Sequence, residues 1–359
     1  MQAEFKTFFE KPYALVLGGG GAKGAFEIGV AQILWDIHRL PAAIVGSSIG
    51  GLNGVLLQGG PDKAWARWQS ITAADVFVHP QRPLRDTSPL RQMLIDYVSE
   101  NPLNIPLWVT VTEIPGGGQV VPVETISQQL TEIIGGGSFF PLLKPQKKRH
   151  RWLTDGGMWN DLPVSVAGNL GYRHVLAIYI AGYGPIHPPL PGMQVKRIDT
   201  PWELGGFLNF NPVQSRYGYL LGRLTMVRLL AGDTGWYTIV APNLAEWQRA
   251  VSAPGWQALM ASRSAWSAAL AHWFPELSSG ADPSGQITDL FQIYAAQQHI
   301  NPAKTYIVST LVDALRAPGQ TNAVRIVNRR LRIFRPQRHD PLYQALRILR
   351  REFTDGTPK

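Results

Sequence analysis

LVLGGGGAKGAFE, residues 15–27, decides how this chain is to be read. Leu15, Val16 and Leu17 close an apolar run from Tyr13 that suits a strand buried on both faces of a parallel sheet. Four glycines follow, and beyond Ala25 the residues Phe26, Val30, Ile33, Leu34 and Ile37 recur at helical spacing. The unit is strand, bare loop, helix. A phosphate-binding P-loop fails, because Lys23 precedes Gly24 and Ala25 brings no hydroxyl for magnesium. Gly19, Gly21 and Gly24 do satisfy the dinucleotide pattern G-x-G-x-x-G. That reading needs an acidic residue at the end of the second strand, and Ala42 to Val45 runs instead into Gly46-Ser47-Ser48. A tight turn accounts for one or two glycines and leaves four in a row unexplained.

Gly46-Ser47-Ser48-Ile49-Gly50 is G-x-S-x-G at a strand-to-helix turn, the nucleophile elbow. Small residues at Gly46 and Gly50 permit the strained turn that exposes a hydroxyl, and Gly51 extends the room. Ser48 is the nucleophile by position in the motif and Ser47 a bystander. The apolar segment Leu52 to Leu57 reads as the helix after it, with its positive end toward the serine. An acyl-transfer nucleophile also needs donors for a transient oxyanion, and the amides of Gly19, Gly20 and Gly21 can be aimed at one point without obstruction. A base must take the serine proton. None of the eight histidines has a distinctive setting, whereas Asp155 ends a short apolar run from Trp152 and is followed by Gly156 and Gly157. That places a carboxylate at the carboxyl edge of the sheet, where catalytic groups gather in open α/β folds. Read alone, Asp-Gly-Gly is equally an ordinary turn.

Together the three pieces resemble the patatin-like phospholipase family. GGGAKG (19–24) matches its oxyanion loop, GSSIG (46–50) its elbow and DGG (155–157) its base motif. GGGSFFPLL (135–143) stands where the family's alanine-rich segment would be, with Phe139 and Phe140 in its place. The likeness spans roughly residues 12–182. It implies a Ser48–Asp155 dyad without histidine, an oxyanion hole at Gly19, Gly20 and Gly21, and supporting roles for Lys23, Gly24, Gly46, Gly50, Gly156 and Gly157. It also implies ester bonds of phospholipids or related glycerolipids as substrate, with no metal and no cofactor. Lys23 is open between a contact to lipid phosphate and a solvated helix start. Three rivals stay open: an α/β-hydrolase with a Ser-Asp-His triad, a nucleotide-binding oxidoreductase, and a nucleic-acid-binding protein with an inactive hydrolase core.

The remaining strands are expected at 107–112, 120–123, near Trp152, at 174–180 and at 236–240, and helices at 89–100, 127–134 and 163–169. This alternation predicts an α/β fold with a mostly parallel central sheet and helices on both faces. Helical segments dominate after residue 195, at 213–230 and 256–273. The expected division is a catalytic core at 1–195 and a mainly helical region at 196–359 packed on it.

With 359 residues, 45% hydrophobic, the chain can bury a large core. It has no cysteine, which excludes disulfides, thiolate metal sites and a cysteine nucleophile. The first residues, MQAEFKTFFEKPY, lack the pattern of a secretory signal, and no run is long enough to span a bilayer. The expectation is a cytoplasmic protein, peripheral at membranes, or one exported without a classical signal. Net charge is +9, concentrated in a basic tail at 321–359 that holds ten Lys or Arg against three acids. Val324, Val327, Leu331 and Phe334 are expected on one helical face there, with Arg325, Arg329 and Arg332 on another, as in a helix lying on an anionic membrane surface. A second basic run, Lys144, Lys147, Lys148, Arg149 and Arg151, precedes the base motif. A nucleic-acid partner is disfavoured by the intact set of three catalytic motifs.

Overall fold

A computed structural model describes residues 1–81, 84–233, 235–277, 282–317 and 326–354. The chain divides into two compact units, Met1–Thr200 with Leu204–Leu230, and Pro201–Glu203 with Ala231–Lys359.

The first unit is built on a sheet of eight strands: β1 (Ala14–Leu17), β2 (Ala43–Gly46), β3 (Leu107–Ile114), β4 (Gly117–Val123), β5 (Gln146–Lys148), β6 (Arg151–Asp155), β7 (His174–Ile178) and β8 (Gln194–Ile198). The order is β5-β6-β3-β2-β1-β7-β8, with β4 paired to β3. From β3 to β8 neighbours are parallel, whereas β4, β5 and β6 join antiparallel. The sheet is mixed and mostly parallel, flanked by helices. β1 and β2 are buried at every position, which is why they read as unbroken apolar runs and not as alternating ones.

One feature of the register brings distant residues together. β4 pairs with Leu107–Glu113 of β3 and so occupies one edge of that strand. β2 and β6 must share the other edge. β2 runs parallel and ends with Gly46 opposite Val109; β6 runs antiparallel and ends with Asp155 opposite Val111. Two strands far apart in sequence therefore finish head to head, with Thr110 of β3 between their end points.

The helices of this unit are α1 (Ala3–Phe8), α2 (Ala25–Asp36), α3 (Ile49–Leu56), α4 (Pro61–Trp68), α5 (Ala73–Val76), α6 (Ser88–Glu100), α7 (Leu130–Gly136), α8 (Val164–Asn169) and α9 (Pro212–Ala231). The boundary expected at residue 195 falls inside β8, and α9 also belongs to this unit. A Cβ at Gly29 of α2 would strike the Tyr219 carbonyl, and one at Gly222 of α9 would strike the Phe26 carbonyl. Two small residues thus let the helices cross in backbone contact, and the Trp65 ring stacks on Tyr219 at 4.0 Å beside them.

The second unit is largely helical: α10 (Leu244–Ala250), α11 (Ala253–Ala261), α12 (Arg263–Trp273), α13 (Pro283–Gln297), α14 (Val308–Arg316), α15 (Arg329–Ile333) and α16 (Pro341–Thr354), with a two-stranded pair of β9 (Thr238–Ile239) and β10 (Thr305–Tyr306). The amphipathic helix expected over 324–334 does not form as such. Val324 and Arg325 lie outside the described residues. The Val327 carbonyl accepts from the Glu203 amide at 2.9 Å and Asn328 bridges Trp202, so the backbone there pairs laterally. Asn328 then caps a single short turn of helix, α15. Ile326 is buried, and Phe334 packs on Trp273 and Phe274, which anchors this stretch within its own unit. No described helix is long and apolar enough to cross a membrane.

Candidate active site

Ser48 sits between β2 and α3 at φ 54° and ψ −126°, a left-handed conformation that costs a non-glycine residue on the order of 1–3 kcal/mol. The surroundings enforce it. A Cβ at Gly46 would overlap the Gly50 carbonyl, and one at Gly50 would overlap the Leu17 carbonyl at the end of β1. The chain can turn this sharply only because both positions lack side chains. The Ser47 amide donates to the Leu17 carbonyl at 3.0 Å and pins the turn to β1, while its own hydroxyl has no partner among the described residues.

Asp155 meets the serine from the other strand end. The Ser48 hydroxyl donates to Asp155 Oδ2 at 2.6 Å. The Gly157 amide donates to Oδ1 at 2.7 Å, so the turn after the aspartate fixes the plane of its own carboxyl. Its backbone is held on both sides, with its amide on the Ser138 carbonyl at 3.1 Å and its carbonyl accepting from the Thr112 hydroxyl at 2.8 Å. Among the described residues, neither Ser48 nor Asp155 forms a hydrogen bond with a histidine. Burial drives the Asp155 pKa up to about 7, against the opposing pull of the hydrogen bonds from Ser48 and Gly157. Near neutrality this carboxylate is a far better proton acceptor than an ordinary aspartate.

The glycine loop passes close to Ser48, with a Cβ at Gly19 standing 3.4 Å from the serine Cβ. The Gly19 amide is engaged by the Asp161 carbonyl at 2.9 Å, and that of Ala22 by the Phe207 carbonyl at 2.7 Å. The amides of Gly20 and Gly21 form no hydrogen bond among the described residues, and Gly21 adopts φ 59°. Lys23 is half-buried at the end of the short helical turn Gly21–Lys23. Its ammonium donates to the carbonyls of Ala181 (2.5 Å) and Ile180 (3.3 Å) and lies over the Tyr183 ring. It ties the loop to the segment after β7. Gly24 packs against Ile49, Asn53 and Trp68, and Gly156 against Thr110, so both serve close packing.

Two further carboxyls stand beside this centre, and sequence reasoning assigned them nothing. Asp161 is buried, and its Oδ2 has no hydrogen-bond partner among the described residues. Burial and the neighbouring Asp155 charge raise its pKa to about 7, while Lys23 and the amides of Gly182 and Gly184 oppose the shift. Glu27, fully buried on α2, accepts from the Asn53 amide at 2.7 Å; burial lifts its pKa well above the usual range. Asn53 of α3 also donates to the Gly24 carbonyl and accepts from the Trp68 indole at 2.8 Å. This network bolts the helix after the glycine loop to the helix after the elbow. Its signal in the sequence was a lone acid in an otherwise apolar helical stripe.

Ser48 and Gly21 also line an apolar cleft, together with Leu52, Trp68, Phe77, Leu90, Leu94 and Phe207 among others. The arrangement comprises a serine hydroxyl bonded to a carboxylate of raised pKa, and an apolar cleft that Ser48 lines together with Gly21.

The family model of patatin-like phospholipases matches residues 15–167. Among curated proteins, the chain is 29% identical over 237 residues to the patatin-like phospholipase domain-containing protein ZK370.4 of Caenorhabditis elegans, covering 57% of this chain and 17% of that one. It is 26% identical over 179 residues to patatin-like phospholipase domain-containing protein 7 of Mus musculus, covering 46% and 13%. It is 27% identical over 187 residues to the neuropathy target esterase sws of Drosophila melanogaster, covering 46% and 12%. The chain thus spans less than a fifth of the length of these curated relatives. The crystal structure of VipD from Legionella pneumophila aligns with a TM-score of 0.28 at 15% identity, over 42% of this chain and 46% of that one. The segment 15–167, which carries both β1 with its glycine loop and the Ser48 and Asp155 turns, is thus similar to the patatin-like phospholipases.

Proposed function

We propose that the chain is a serine hydrolase cleaving carboxylic esters of phospholipids or related glycerolipids through an acyl-serine intermediate. The observation that carries this reading is the 2.6 Å hydrogen bond from Ser48 to Asp155 at the head of an apolar cleft. Asp155 accepts the Ser48 proton as Oγ attacks the ester carbonyl carbon. The carbonyl oxygen takes the negative charge and is met by the Gly20 and Gly21 amides, assisted by the positive end of α3. Collapse of this intermediate breaks the ester C–O bond, and the leaving alcohol recovers the proton from Asp155. Water then gives its proton to Asp155 and attacks the acyl-serine; the fatty acid leaves and Ser48 regains its hydrogen. The cleft walls take the acyl chain, and the absence of an intervening histidine is met by a carboxylate whose burial makes it basic enough.

Mass spectrometry after treatment with a fluorophosphonate ester tests the reading. Modification is expected at Ser48 alone in the wild-type chain and is lost in Asp155→Asn. Labelling that persists in the folded Asp155→Asn chain, or that falls on another residue, refutes the dyad.

A further inference from the structure

The rim of the Ser48 cleft continues into a surface of unusual composition. Phe139, Tyr183 and Phe207 pack together there, with ring centroids 5.2 to 6.0 Å apart, and Phe207 also lines the cleft. From Phe139 the chain runs on as Phe140-Pro141-Leu142-Leu143-Lys144. Leu143 turns into the cleft, whereas Phe140 and Leu142 stay exposed at 43% and 38%. This strip is not loose. The Arg85 amide donates to the Leu142 carbonyl at 3.1 Å, and the Lys144 amide to the Arg85 carbonyl at 3.0 Å.

Beyond it lies a second, polar cleft lined by Asp86, Thr87, Arg91, Lys144, Lys147 and Trp152. Thr87 lines both clefts, so the two are neighbours. Trp152 is 45% exposed; in the sheet it stands opposite Lys147 on one side and the exposed Ile114 on the other. The Lys147 ammonium lies over its ring at 5.9 Å. Residues 139–152 contain five Lys or Arg and no acid. Lys144, Lys148 and Arg151 do reach carboxylates at Asp86, Glu132 and Glu113, but those side chains come from other elements and leave the face with an excess of cations.

Large apolar side chains scattered singly on a surface need no explanation. Here Phe140 and Leu142 flank the cleft-lining Leu143 and lead to Lys144, Trp152 lines the adjoining polar cleft with Lys144 and Lys147, and Ile114 pairs with Trp152 in the sheet. An aromatic ring with a polar edge suits the headgroup layer of a bilayer, and basic side chains suit the negative potential of anionic lipids, at roughly fivefold in partitioning per cation. We propose that this face, with Phe140, Leu142, Trp152 and Ile114 as apolar tips and Arg91, Lys144 and Lys147 as cations, docks the protein on an anionic lipid bilayer. The Ser48 cleft then opens beside the lipid it draws from. The usefulness of such docking rests on the acyl-hydrolase reading, whereas the docking itself does not. The face lies on the first unit, and it replaces the C-terminal stretch at 324–334 as the candidate for membrane contact.

Co-sedimentation of the full chain with phosphatidylcholine vesicles, with and without phosphatidylglycerol, tests the proposal. Wild type is expected to bind the anionic vesicles at least tenfold more tightly, and high salt to erode the difference. The variants Lys144→Glu/Lys147→Glu and Leu142→Ser/Trp152→Ser should each lose about tenfold of that binding while hydrolysing a soluble short-chain ester at the wild-type rate. Equal wild-type binding to both vesicle types overturns the proposal. So does undiminished vesicle binding by both variants, whether or not they disrupt a dimer or a contact with an acidic protein. A chain that docks as expected but leaves every ester intact retains the docking face and refutes the catalytic reading instead.

Discussion

Ser48 stands between two unlike walls. Behind it, Asp155, Asp161 and Glu27 are buried together, with one oxygen of Asp161 and one of Glu27 lacking any partner among the described residues. In front, leucines, phenylalanines and a tryptophan line a slot that asks nothing of its contents except that they be apolar. The apolar wall follows from the ordinary gain of removing hydrocarbon from water. The acidic wall runs against stability, since a buried carboxylate without full compensation is destabilising. Strongly perturbed carboxyls of this kind cluster at functional sites, although structural networks such as the one around Glu27 hold them too. The two walls should therefore respond oppositely to mutation: loss of the Asp155 charge from the acidic wall relieves the fold and stops the proposed chemistry, and changes to the apolar wall alter only what is accepted.

The largest effect is expected at Asp155. Asp155→Asn removes the proposed base and should lower kcat/KM on any ester by about 10⁴-fold, the scale seen when one member of a catalytic set is deleted. The same change should stabilise the protein. A carboxyl whose folded pKa is raised favours the folded state at acid pH, and that contribution is lost as pH climbs from about 4 through about 7. The shift from 3.8 to about 7 corresponds to about 4 kcal/mol of burdened stability above neutrality. The neutral amide should recover about 2 kcal/mol or more of it in a denaturant titration near pH 8, and none near pH 4. A variant less stable than wild type near pH 8 would erase the contrast between the walls.

A smaller effect is expected at the apolar wall. Leu90 is buried and lines the slot. Leu90→Trp fills space that a long acyl chain needs, and should reduce kcat/KM on long-chain esters by about tenfold while sparing short-chain ones, the size of discrimination typical of hydrophobic pockets. Parallel loss on both chain lengths would mean that the slot does not hold the acyl chain.

The reach of the sequence follows the same division. The strand, loop and helix at Tyr13–Ile37 and the elbow at Gly46–Gly50 were legible because local requirements wrote them: an unbroken apolar run, then positions where only glycine fits. Asp155 was legible as a carboxylate on a turn. Its meeting with Ser48 depends on the two strands that share one edge of β3, a long-range register that no local pattern encodes. The same holds for α9, whose membership in the first unit rests on Gly29 and Gly222 meeting across a helix crossing. Hydrophobic spacing shows that α9 is a helix and says nothing about its neighbour. The stretch at 324–334 misled for the opposite reason, since its helical spacing was real but lateral pairing at Val327 and Asn328 prevailed. Asp161 and Lys23 were ambiguous because a polar residue beside a glycine loop has the same sequence signature whether it faces substrate, solvent or the protein's own carbonyls.

The finest test of the acidic wall lies in how its members titrate. Asp155 and Asp161 approach the same glycine: a Cβ on Gly157 would stand 2.9 Å from Asp155 Oδ1 and 3.1 Å from Asp161 Oδ1. Carboxyls this close lose their protons as a pair, each charge opposing the other's ionisation. Glu27 adds to the crowding, while Lys23 and the amides of Gly182 and Gly184 relieve it at Asp161. The proposed mechanism needs Asp155 ionised, so activity on a soluble ester should rise as pH climbs through about 7. Asp161→Asn keeps the main-chain carbonyl that holds the Gly19 amide and removes only the competing charge. Its plateau rate should stay within about threefold of wild type, while the rising limb of kcat/KM moves to lower pH by less than about one unit. A limb displaced to higher pH would show that Asp161 assists ionisation of Asp155 instead of resisting it, and the acidic wall would then be a cooperative network and not a set of like charges held together by the fold.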